Sequence, residues 1–99
     1  MVITVNGSEL EVTDISFKDR RKLHHLHTQA YFKSVLNGDG SVGEVKIDFD
    51  KFYEAMEFAL SIAFRDLESE MEGKSDAEID AVGQALVNSY LNPVKKNGN

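Results

Sequence analysis

Cysteine is absent from this chain of 99 residues. That removes disulfides, thiolate nucleophiles and zinc sites of the cysteine type, and it suits a reducing compartment. Stability must therefore come from packing. No apolar run approaches the roughly 20 residues that span a bilayer, and the opening MVITVNGSELEV has no basic stretch leading into an apolar one. Neither membrane insertion nor secretion is expected, and the expected location is a cytoplasm. Positive charge is scarce as well: 11 Lys and Arg stand against 17 Asp and Glu, for a net charge of −6. Phosphate neutralisation needs clustered cations, so general binding to nucleic acid is disfavoured. What is present is a hydrophobic share of 41%, enough for one modest core. A single compact domain over residues 1–92 and a flexible polar tail over 93–99 are expected.

The charges are unevenly placed. Lys18, Arg20, Arg21, Lys22 and Lys33 fall in one segment, whereas Glu44 to Asp80 is dominated by carboxylates, notably in RDLESEMEG from Arg65 to Gly73. Exposed ion pairs usually contribute little, so the plain reading is two solvated faces that attract one another within the fold.

VITVNGSELEV has the form of a hairpin around Asn6-Gly7, a pair suited to the positive φ angles of a type I′ turn. That turn sets Val5 opposite Ser8, Ile3 opposite Leu10 and Met1 opposite Val12. The apolar residues then share one face, with Thr4, Glu9 and Glu11 on the other. Two strands alone are marginal in water, so helices or a partner's strand should cover that face.

Ser16 with Asp19 resembles a helix cap and opens a first amphipathic helix from Phe17 to about Leu36. Phe17, Leu23, His24, Leu26, His27, Ala30, Tyr31 and Val35 fall in its apolar arc, and the cations lie opposite. Gly38, Gly40 and Gly43 break it, and EVKI is either a short strand or an extended entry to the next helix. Asp48 caps a second helix from Phe49 to about Leu67, with an inward stripe of Phe49, Phe52, Met56, Ala59, Leu60, Ala63 and Leu67. Ser75 with Glu78 forms a capping box for a third helix through Leu91, which turns Ile79, Val82, Leu86 and Tyr90 inward and is closed by Pro93. The acidic stretch between them is a loop or a continuation of the second helix. The fold class is α+β: mainly helical, an N-terminal β-hairpin followed by three amphipathic helices.

LNGDGSVGEVKIDFDKFYEA has the texture of a calcium loop. Such a loop needs Gly at its sixth position and a bidentate Glu at its twelfth. Counting from Asn37, those positions hold Val42 and Asp48; counting from Asp39, they hold Glu44 and Asp50. A structural turn ahead of a helix cap is the expectation. His24 and His27 are spaced to share a helical face, yet two imidazoles without a third ligand read as packed histidines. The carboxylates lie on polar faces, Ser41 has no evident base, and the glycines lack the Lys-Ser or Lys-Thr ending of a phosphate loop. No catalytic residue, cofactor or metal is therefore assigned, and the chain is read as non-enzymatic. Phe32, Phe58 and Ile62 sit off the inward stripes and are the partner-binding candidates, for a helical client or for a second copy in a homo-oligomer.

ITVNGSELEV, then FKDRRKLHHLH, then DFDKFYEAMEFALSIAF, then SDAEIDAVGQALVNSYL follow one another in an order, length and character that resemble the small tail assembly chaperones of tailed bacteriophages. The likeness spans most of residues 2–91 and rests on no catalytic motif. It implies a helper that binds the long helical tape measure protein, recruits tail tube subunits in the host cytoplasm, and is absent from the finished particle. Two alternatives remain. Glu54, Glu57, Asp66, Glu68, Glu70, Glu72, Asp76 and Asp80 offer the array of a small acidic inhibitor that mimics DNA, although Lys18 to Lys22 interrupts a one-signed surface. A minor structural virion protein would stay in purified particles.

Overall fold

A computed structural model describes residues 1–31, 33–36 and 42–92. The chain begins with an antiparallel hairpin of β1 (Val2–Val5) and β2 (Ser8–Glu11), in the register that Asn6-Gly7 predicts: Val5 faces Ser8 and Ile3 faces Leu10. Asn6 and Gly7 have φ of 51° and 82°, the left-handed pair that a type I′ turn requires. Ile3 and Val12 are buried while Thr4, Glu9 and Glu11 face outward. The helix that covers this face is the last one.

Helix α1 spans Phe17–Tyr31, and the Ser16 hydroxyl accepts the Asp19 N–H at 3.1 Å as its cap. It ends earlier than expected. The segment read as its last turns is instead β3 (Lys33–Leu36), paired antiparallel with β4 (Val42–Lys46), with an irregularity between Val35 and Leu36. Val35, Val42 and Val45 favour an extended backbone, and pairing two such runs across a glycine-containing connection outweighs a helical period seen in one of them. The Asp48 N–H then donates to the Ala30 carbonyl at 2.8 Å. That bond satisfies a carbonyl at the end of α1 and starts the next helix beside it. Of the glycine-rich stretch expected to be a structural turn, Asn37 to Ser41 lie outside the described residues, as do Phe32, Pro93 and the tail.

Helix α2 runs Phe49–Ala63, with the Asp48 carboxylate accepting the Lys51 N–H at 3.4 Å. It too stops before the expected Leu67, because Phe64 turns extended and Asp66 caps a separate short helix, α3 (Leu67–Met71), through the Ser69 N–H at 3.2 Å. The acidic connector is thus neither loop nor continuation. Gly73, with φ of 82°, supplies the left-handed residue between α3 and α4. Helix α4 (Asp76–Leu91) opens on the complete capping box of Ser75 and Glu78. The Ser75 N–H first and the Ser75 hydroxyl second, both donated to its carboxylate, hold the Glu78 carboxyl below its usual range.

Helix α2 is the centre, with α1 and α4 packed on it. Leu23, Leu26 and Ala30 of α1, Met56, Ala59, Leu60 and Ala63 of α2, and Val82, Leu86 and Tyr90 of α4 are buried together with Ile3 and Val12. Phe17 and Phe49 do not join them. Phe17 lies roughly 150° around α1 from the buried Leu23, Leu26 and Ala30 at 100° per residue, and Phe49 is the first residue of α2, beyond the packed span; they are 71% and 63% exposed.

Gly83 lets α4 approach α2: a Cβ built there would lie 3.0 Å from Met56 Cβ. Gly83→Ala would gain about 1 kcal/mol of helix propensity. The clash is with an atom fixed to the α2 backbone, however, so overpacking of about 1–3 kcal/mol should win. A lower melting temperature is expected, and a raised one would refute the close approach. Tyr90, 2% exposed, donates its hydroxyl to the Thr13 carbonyl. Burial first and the Asp14 carboxylate second raise its pKa from 10.0 to about 12. Because the folded value exceeds the unfolded one, the stability linked to the neutral phenol is present in full below pH 10 and is lost as pH rises towards 12. Tyr90→Phe should cost about 1–2 kcal/mol at neutral pH and should flatten that alkaline loss in denaturation curves.

Candidate protein-docking surface

Phe58 and Ile62, chosen from sequence as a free patch, are half-buried and packed against the core. The ammonium of Lys22 on α1 sits 4.7 Å from the Phe58 ring centroid, a cation–π contact that places the ring beside α1. The material that covers this second side of α2 is therefore α1 itself. Phe32, the third candidate, lies outside the described residues.

The histidines separate. His24 is exposed, its ring in edge contact with His25 at 6.2 Å between centroids. His27 is half-buried, with its pKa lowered by burial first and by His24 second. It borders a cleft of about 60 Å³ with Phe52, Ala55, Met56, Gln84, Val87 and Asn88. That volume suits a water or two rather than an organic ligand. Among the described residues no group of three or more His, Asp or Glu could hold a metal ion.

A larger feature was not foreseen. Where α2, α3 and α4 meet, an open groove of about 460 Å³ runs between Tyr53, Leu60, Leu67, Met71 and Ile79. Glu57, Glu68, Asp76 and Asp80 form its rim. Its floor arises because Leu67 and Met71, one turn apart on α3, face the same way, and because Gly73 folds α3 back beside α4. Tyr53, 47% exposed, stands at one wall. Phe49, one turn earlier on α2, continues the same edge. Among the described residues, none of the four rim carboxylates has an ion-pair partner.

The sequence carried a partial signal for this site. RDLESEMEG was legible as an acidic run, but its Leu67 and Met71 hold the i, i+4 spacing of a short apolar stripe, and Asp66 three residues before Ser69 is a cap. Chemically the groove offers an apolar floor within a negative field, which is a surface for docking a cationic amphipathic segment. No helix among the described residues is long and apolar enough to cross a membrane. Comparison with protein-family models, curated proteins and solved structures gives no match.

Truncating the two off-stripe residues tests whether they belong to the α1–α2 joint. Phe58→Ser with Ile62→Thr is expected to cost about 3 kcal/mol or more and to lower the circular dichroism melt. An unchanged melt would return both residues to the surface.

Proposed function

We propose that this chain is a non-enzymatic protein-binding protein that works as a tail assembly chaperone, holding a helical segment of a tape measure protein in the host cytoplasm while tail tube subunits are recruited. The observation that carries the binding reading is the acid-rimmed apolar groove of Tyr53, Leu60, Leu67, Met71 and Ile79. An amphipathic helix laid in such a groove buries its apolar anchors at i, i+3, i+4 and i+7 and pairs its basic residues with the rim. The assignment to tail assembly rests on the resemblance in order and character of the elements. The rim, without an ion pair among the described residues, supports it only in the general sense that a client of opposite charge is favoured.

The alternatives differ in what they need from this surface. A DNA mimic needs carboxylates spread over a continuous face, without an apolar floor between them. Here Glu57 and Glu68 flank Leu60, Leu67 and Met71, an arrangement better suited to a side chain than to a protein that reads phosphates.

The test is capture of a helical tape measure fragment by this protein, measured by calorimetric titration. Binding that weakens with salt and is lost in Glu57→Lys with Asp80→Lys is expected, because rim charges steer and orient while the floor anchors. Binding unchanged by that reversal would overturn the groove assignment. Recovery of the protein in purified particles would favour a structural virion component instead.

A further inference from the structure

Both halves of a complementary contact occur on this one chain. Phe17 is the most exposed large apolar residue described, at 71%, and the exposed Lys18 and Arg21 flank it. The Arg20 guanidinium carbon lies 5.5 Å from its ring centroid. An exposed aromatic side chain with an arginine over its ring and two further cations against one carboxylate, Asp19, in the same turn is the chemical inverse of the groove, whose apolar floor is bordered by Glu57, Glu68, Asp76 and Asp80. We infer that the groove of one molecule receives the Phe17 end of α1 from a second copy of the same chain. The inference uses the groove described above but needs no client.

Geometry makes the contact intermolecular. Helix α1 reaches α2 on the Phe58 side, through Lys22, whereas the groove opens on the Tyr53 side. Phe58 is five positions after Tyr53, which is about 140° around α2 at 100° per residue. Helix α2 therefore stands between a molecule's own α1 and its own groove. Two different patches meet in such a contact, so it is heterologous, and each added copy leaves one end and one groove open. Growth to a ring or short chain follows, rather than a two-fold dimer. The same occupancy would cover the groove before a client arrives, so a client would compete with the neighbouring copy.

The experiment is sedimentation and light scattering of the client-free protein across concentration, in low salt and in about 1 M salt, where the Debye length falls to about 3 Å. Average mass is expected to rise with concentration in low salt and to fall towards the monomer in high salt. Phe17→Ser should weaken association by about tenfold or more, as loss of a buried aromatic anchor does. Its melt should stay unchanged, because the side chain is exposed in the monomer. Two charge-reversed proteins complete the test. Lys18→Glu with Arg21→Glu, and Glu57→Lys with Asp80→Lys, should each remain monomeric alone and associate when mixed. A wild-type mass independent of concentration in low salt overturns the inference, as does a Phe17→Ser protein that associates like the wild type or a mixture that stays monomeric. Any of these would leave client capture to its own titration, so the failures are separable.

Discussion

The main chain at Thr13 is the joint on which the described fold depends. Its N–H donates to the Ala63 carbonyl at 3.0 Å, and its carbonyl accepts the Tyr90 hydroxyl. Ala63 ends α2, and its carbonyl has no partner within the helix. Tyr90 lies near the end of α4, in the core. One residue of extended chain thus satisfies two polar groups that would otherwise be buried unpaired, each costing on the order of 1–3 kcal/mol. It also fixes the hairpin against the ends of two helices. Val12, immediately before it, pairs with the Met1 carbonyl at 2.8 Å, so the position of the hairpin and the spacing of α2 from α4 are set together.

Everything else is arranged around α2, which must bury two sides. Toward α4 the demand is for closeness, met by the bare Gly83 against Met56 and by Ala59 and Ala63, small residues that bring the axes together. Toward α1 the demand is for cover, met by Leu23, Leu26 and the alkyl and ammonium portions of Lys22 over Phe58. A long basic side chain can lie along apolar surface while its head remains near water. The half-buried state of Phe58 and Ile62 follows from that kind of cover.

The parts legible in the sequence were those fixed by short-range chemistry. Asn6-Gly7 set the hairpin register, and Ser16, Asp48 and Ser75 each began a helix where their caps implied. Helix ends were less legible, since Tyr31 and Ala63 are followed by segments whose periodicity alone continues the helix. The second hairpin and the Asp66 cap stop them, and both depend on pairings made after the helix has formed. The groove was hidden for a related reason. Leu60 lies on α2, Leu67 and Met71 on α3, and Ile79 on α4, so no single periodic stripe contains it. The exposure of Phe49 was equally hidden, because helical angle says which residues align and not how far along the helix the packing extends, whereas Phe17 stands roughly 150° from the buried face of α1 and was set too broadly in its apolar arc.

Charge separation across α2 is the remaining feature that folding by itself does not require. Cations gather on α1 and carboxylates around α3 and the start of α4, and among the described residues no ion pair joins the two sets. Interspersing the same charges would reduce repulsion within each cluster at no cost to the core. Keeping them apart leaves a positive face with an exposed aromatic and a negative face with an open apolar floor on the same molecule. Exposed pairs of opposite charge add little to the stability of one chain. The same charges, when they are brought together around a buried anchor, orient and select a neighbour, so this distribution is better suited to recognition between molecules than to holding one molecule folded.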